Sequence, residues 1–132
     1  MPYDADLTSA DVDRLLQYLE YFQDPGSVFY HEVNGYMCES EKIGSFRKAL
    51  DDVGFLIVFN WSDWLMENEI YRNLDNNMDS SIMNADLETL RKLMTSYIRG
   101  DRFNEGLFIS VCMKGHAAQI LLRLRELKGK LS

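Results

Sequence analysis

"DLETLRKLMTSYIRGDRFNEGLF", Asp86 to Phe108, decides the fold class. Leu87, Leu90, Leu93, Met94 and Tyr97 recur at three- and four-residue steps, which is one face of an amphipathic helix, and Gly100 is the kind of residue that ends one. A second helix then starts near Phe103 or Asn104. Asp101 and Glu105 sit near its positive end, Arg99 near the negative end of the first, and both placements favour folding without a ligand. On that reading Phe103 is the apolar pin of a corner, and Arg102 and Glu105, three apart, form an exposed ion pair. Read as a site, Arg99, Arg102 and Glu105 would line an arginine pocket for a carboxylate or phosphate, a task suited to planar, bidentate guanidinium groups.

Helical spacing continues on both sides. Downstream, a short helix from about Asn104 to Gly115 precedes a final one that carries Ala117, Ile120, Leu121 and Leu124 toward Leu127. Upstream, Thr8 can cap a helix with Asp11 in its first turn and with Val12, Leu15, Leu16, Leu19 and Phe22 on one face. Another begins after Ser40, buries Ile43, Phe46, Leu50 and Val53, and stops at Gly54. "FLIVFNW", Phe55 to Trp61, is too short for a helix of its own and is expected to cross the core as an extended, buried segment. Ser62 is expected to cap a further helix running to about Leu74, with Trp61 stapled onto Met66, before the polar loop "DNNMDSSIMN". "SVFYHEVNGYMC", around Asn34-Gly35, fits either a small hairpin or an irregular loop. The fold class is therefore all-α, about six helices in a bundle-like or orthogonal arrangement, with at most a minor β-hairpin.

A chain of 132 residues with 46% apolar side chains is expected to fold as one domain, residues 1–132, without disulfide or metal staples. No apolar run is long enough to span a bilayer and no secretory leader is visible, so a soluble, cytoplasmic protein is expected. The two cysteines, Cys38 and Cys112, fit reduced thiols in that compartment. The net charge of −7 argues against a general affinity for nucleic acid. It divides unevenly, −11 over residues 1–85 and +4 over residues 86–132. Either the two parts attract each other within the fold, or one of them is an interaction surface.

Other constellations carry less. His31, Cys38, Cys112 and His116 are the ligand types of tetrahedral zinc, but they lack the tight paired spacing of a structural site, and neither a metal nor a cofactor is expected. No Gly-x-Ser-x-Gly elbow or glycine-rich phosphate loop is present. The helices flanking Gly115 allow a helix-turn-helix reading, with Gln119 toward a base edge and Arg123, Arg125, Lys128 and Lys130 toward phosphates. Trp61 and Trp64, three apart, suit one core anchor and one interface anchor.

"GFLIVFNWSDW", the stretch from Asp86 to Phe108 and "ILLRLREL" together resemble a family of small, mostly bacterial proteins known as domain of unknown function 6508. The resemblance is best from Gly54 onward. Where the family pattern often carries Cys after the Phe, this chain has Asn104. What it implies is a bacterial or phage cytoplasmic protein of unassigned activity. The leading expectation is a non-catalytic protein-interaction or regulatory module, acting through a protein partner or its own dimer, with the acidic first part as one possible nucleic-acid mimic. The alternatives are a nucleic-acid-associated regulator using the basic C-terminal helix, and a small-ligand-binding or enzymatic domain centred on the Arg99–Glu105 corner. No membrane association is expected.

Overall fold

The computed structural model describes residues 7–68, 79–103 and 106–130. Its elements run α1 (Ser9–Leu16), α2 (Leu19–Gln23), β1 (Tyr30–Val33), β2 (Tyr36–Glu39), α3 (Glu41–Asp52), α4 (Trp61–Glu67), α5 (Asp79–Met83), α6 (Leu87–Gly100), α7 (Leu107–Met113) and α8 (His116–Leu127), followed by a 3-10 turn, Lys128–Lys130. The chain is mostly α-helical with one minor antiparallel hairpin, as its apolar spacing predicts. Among the described residues there are two helices more than expected, because the first is divided and because α5 lies inside the stretch expected to be loop.

The N-terminal helix begins as read. Thr8 Oγ1 accepts the Asp11 N–H at 3.2 Å and the Asp11 carboxylate accepts the Thr8 N–H at 3.0 Å, a reciprocal capping box. A tight bond from Tyr18 N–H to the Leu15 carbonyl then divides α1 from α2. Val12, Leu15, Leu19 and Phe22 stay buried across the break. The choice between loop and hairpin resolves as a hairpin, with Val33 facing Tyr36 across Asn34 (φ 53°) and Gly35 (φ 84°). Both residues are left-handed, the conformation that a two-residue turn needs to match strand twist.

Local expectations are corrected at the start of α4 and in the polar loop. Asn60, not Ser62, caps α4, its side-chain oxygen accepting the Asp63 N–H at 3.1 Å. Trp61 is therefore the first helical residue rather than a staple before the cap, and Met66 is exposed. Part of the expected polar loop is helical, because Ile82 is fully buried and α5 packs on α8. The expected continuation of α4 to Leu74 lies outside the described residues. The helix α6 ends at Gly100, as expected, and Gly54 after α3 is left-handed, as are Gly106 and Gly115 at the starts of α7 and α8. A Cβ on Gly100 would stand 3.2 Å from Leu107 Cδ2 and 3.7 Å from the Trp61 ring, so it is close packing that favours glycine there.

The core forms around α8, which touches α1, α2, α5, α6 and α7. Ile120, Leu121 and Leu124 face inward, as their spacing predicts. An aromatic cluster of Tyr18, Phe22, Phe29, Phe46 and Phe108 fills the side nearer the hairpin.

"FLIVFNW" is only half of the buried crossing expected. Phe55 and Ile57 are buried, whereas Val58 is 95% exposed. Its inward edge has no neighbouring strand, so side chains of α6 supply the missing partners. Arg91, itself buried, donates from Nε to the Phe55 carbonyl (3.0 Å) and from Nη2 to the Gly54 carbonyl (2.6 Å). Thr95 Oγ1 accepts the Ile57 N–H at 3.1 Å and donates to the Arg91 carbonyl at 2.7 Å.

Two outcomes are expected. Arg91→Ala strands two carbonyls and lowers stability by about 3 kcal/mol, whereas exposed Arg125→Ala changes it by less than about 0.5 kcal/mol; urea denaturation of both variants checks this. Asp86, whose carboxylate accepts the Thr89 N–H at 2.8 Å at the start of α6, has its pKa lowered chiefly by hydrogen bonding with Thr89. Because the folded pKa lies below the unfolded one, this stabilisation is present above about pH 4 and is lost as pH falls through the folded value. Asp86→Ala is therefore expected to cost about 1 kcal/mol at pH 7 and progressively less below pH 4, as measured by denaturation at each pH.

Candidate functional site

The turn that joins α6 to α7 lies near the end of β2, where Met37 Sδ stands 4.0 Å from the Cβ position of Gly106. Between them opens a cleft of about 490 Å³. Its wall from the first part of the chain is Met37 and Glu39 of β2 with Arg47 of α3. The opposite wall is Ile98 and Arg99 at the end of α6, Asp101 and Arg102 in the turn, and Ile109 of α7.

Arg47 ties the walls together. Its guanidinium grips Glu39 in a bidentate fork, Nε to Oε1 at 2.7 Å and Nη2 to Oε2 at 2.5 Å. The same Nη2 reaches Asp101 Oδ2 at 3.2 Å, and the guanidinium lies 4.9 Å from the centre of the Phe108 ring. Asp101 Oδ1 accepts the Phe108 N–H at 2.9 Å, so one carboxylate both pairs with Arg47 and satisfies the first turn of α7. Burial by itself pulls the Arg47 pKa down, but Glu39 and Asp101 outweigh it and hold the pKa above its ordinary value. The group stays charged.

This geometry determines what the cleft offers. Both lining carboxylates are engaged by Arg47, while Arg99, half-buried, and Arg102, exposed, make no ion pair among the described residues. Among the described residues, the five charged groups of the lining sum to +1 in a chain of net charge −7. The cleft is thus a locally cationic concavity with apolar surface from Met37, Ile98 and Ile109, able to receive a carboxylate or phosphate through bidentate hydrogen bonds.

Of the residues singled out in the sequence, Arg99 and Arg102 come together here. Glu105, and with it the expected pair to Arg102, lies outside the described residues. Trp61 borders the corner, its ring over Gly100 and 6.1 Å from that of Phe103. Trp64 turns away to pack edge-on against Phe59. Phe103 is not the buried pin expected of it: it is 78% exposed, because the Arg47–Asp101 contact, the Asp101 cap and the packing at Gly100 already hold the corner. Arg47 and Glu39 were missed. They stand eight residues apart across a hairpin end and a helix, and no local spacing announces that pair.

Among the basic residues considered for nucleic acid, Arg123 donates to the Ala85 carbonyl (2.8 Å) and pairs with Glu126, and Lys128 pairs with Asp13. Arg125 is exposed and Gln119 half-buried, while His116, Ala117 and Ala118 at the start of α8 are buried. The axes of α7 and α8 meet at a bend of 66°. The side chain of Lys130 is not among those described. Early carboxylates are tied in one at a time: Asp11 in a cap, Asp13 to Lys128, Asp52 to Arg14 and Lys48, and Glu39 to Arg47. His31 faces Cys38 across the hairpin, while Cys112 and His116 flank the α7–α8 turn. Among the described residues no three His, Cys, Asp or Glu side chains gather as a metal site, and no single helix is long and apolar enough to cross a membrane.

Fold and cleft define a small, mostly helical domain that presents a cationic concavity at a helix corner. The model of a family of unknown function, DUF6508, matches residues 7–130, and the chain belongs to that family. The match takes in the N-terminal helices and the hairpin as well as the second half of the chain. Comparison with the curated proteins and with the solved structures gives no match.

The thiols offer a check on this arrangement. Burial pushes the Cys112 pKa up to about 12, with Glu39 adding to the rise, whereas Cys38 is only half-buried on β2. An aromatic disulfide reagent at pH 8 is expected to titrate one thiol in the native protein and two in denaturant. The Cys38→Ser variant is expected to show none until it unfolds.

Proposed function

We propose that the protein is a non-catalytic interaction module whose cleft receives the carboxylate or phosphate of its ligand between Arg99 and Arg102. One observation carries this reading: Arg47 engages both described carboxylates of the lining, while Arg99 and Arg102 at the mouth make no ion pair among the described residues. Because the cleft's carboxylates are already hydrogen-bonded to a guanidinium, neither is poised as a general base, which favours binding over catalysis. Apolar contacts from Met37, Ile98 and Ile109 add area beside the charge, in keeping with ligand sites that combine a few polar groups with apolar walls. Two free cysteines, one of them buried, are in keeping with a reducing, cytoplasmic setting.

Titration with inorganic phosphate and with a dicarboxylate, followed by amide chemical shifts, tests the reading. Shifts are expected at Arg99, Arg102 and Met37, with affinity falling about tenfold or more in an Arg99→Ala/Arg102→Ala double variant, given that hydrogen bonds to charged groups contribute about 1.5–3 kcal/mol. Shifts scattered over the surface, or an unchanged affinity in the double variant, would overturn it.

A further inference from the structure

The hairpin carries an unused edge beside the cleft. Ser40 N–H donates to the Phe29 carbonyl, and because hydrogen-bonded pairs alternate along an antiparallel ladder, His31 with Cys38 and Val33 with Tyr36 are the other bonded pairs. Met37 and Glu39, the alternate residues of β2, therefore turn their N–H and C=O groups to its outer edge. Among the described residues no hydrogen bond reaches those backbone groups, and Met37 is 41% exposed. A two-stranded hairpin is marginal on its own, and an open edge is a template for a further strand. The same two residues point their side chains into the cleft, where they form one wall. Pleating puts the side chain of a residue laid directly beside Met37 on that same face. An added strand thus sends every second side chain into the cleft that Arg99 and Arg102 line.

We propose, resting on the reading of the cleft given above, that its ligand is an extended acidic segment of another protein, which pairs with the outer edge of β2 and places one Asp or Glu carboxylate between Arg99 and Arg102. The edge offers backbone hydrogen bonds that any strand can use, and the cleft supplies the selection. Glu39 and Asp101 are both held by Arg47. A basic side chain entering the cleft therefore meets two arginines and no free acid among the described residues, and an apolar one leaves both guanidinium groups unanswered. A carboxylate answers them through forked hydrogen bonds. It has to come from a side chain. The C-terminal carboxylate of a peptide stays on the line of the backbone, along the edge, whereas a side chain is carried off that line into the cleft. Residues two positions to either side of the acid share its face, and apolar ones there meet Met37, Ile98 and Ile109.

Three probes test this on the full chain: the peptide Val-Thr-Glu-Thr-Val, acetylated and amidated at its ends, the same peptide with Gln in place of Glu, and succinate. As the acidic peptide binds, residue-resolved amide exchange is expected to slow at Met37 and Glu39 with no change at Cys38, whose N–H is already held by His31. The acidic peptide is expected to bind at least tenfold tighter than its Gln counterpart. That preference is expected to vanish in the Arg99→Ala/Arg102→Ala variant. If succinate shifts the amides of Arg99 and Arg102 while the peptide leaves exchange at Met37 and Glu39 unchanged, the peptide partner is overturned and the anion reading of the cleft stands. Equal affinity for the Glu and Gln peptides would overturn the partner as well. Failure of succinate, inorganic phosphate and the peptide alike would overturn both.

Discussion

A buried guanidinium holds the middle of this chain in place. Arg91 lies on the inward face of α6, where its donors meet the carbonyls of Gly54 and Phe55. A segment leaving α3 with no strand beside it would otherwise carry carbonyls into the core unpaired, at a cost of about 1–3 kcal/mol each. With Arg91 and Thr95 in place it runs along α6, and its far end delivers α4 so that Trp61 rests over Gly100. At the corner between α6 and α7, Leu107 and the Trp61 ring pack closely on Gly100, where a Cβ would stand 3.2 Å from Leu107 Cδ2.

Arg47 plays the corresponding role on the other side of the corner. It gathers Glu39 from the hairpin and Asp101 from the turn, and through Asp101 it reaches the first turn of α7. A carboxylate at that point has two tasks, pairing a partly buried charge and accepting an N–H at the positive end of a helix, and both strengthen as water is excluded. The consequence for function is electrostatic. With the described acids of the lining engaged by Arg47, the charge left at the mouth among the described residues is that of Arg99 and Arg102, in a protein that is acidic as a whole.

The helices α6 and α8 were legible because a 3.6-residue period is a local property, written wherever one face is buried. So were the caps at Thr8 and Ser40, whose hydroxyls accept the N–H groups of Asp11 and Ile43. The hairpin was not decidable, since its strands are mostly exposed and show no alternation of buried and solvated residues. Asn60 and Ser62 are equally good capping residues two positions apart, and only the observed bond to Asp63 chooses between them. Ile82, in a polar stretch whose other apolar residues are Met78 and Met83, gave no period from which its burial or the short helix α5 could be read. Of the candidate site, Arg99 and Arg102 were visible as a local cluster, while Arg47 and Glu39 came from elsewhere in the chain.

What the sequence by itself determined is the fold class and the apolar faces, because hydrophobic spacing and end caps act within a few residues. Which polar residues turn inward was decided only by the tertiary structure. Arg91 next to Lys92 reads as one solvated pair, yet one is buried against a bare backbone segment and the other is half-exposed and joined to Glu88. Arg102 and Arg47 are chemically alike, and one ends at the mouth of a cleft while the other locks its walls. The difference lies in partners 36 to 54 residues away, brought near only when the chain closes on itself.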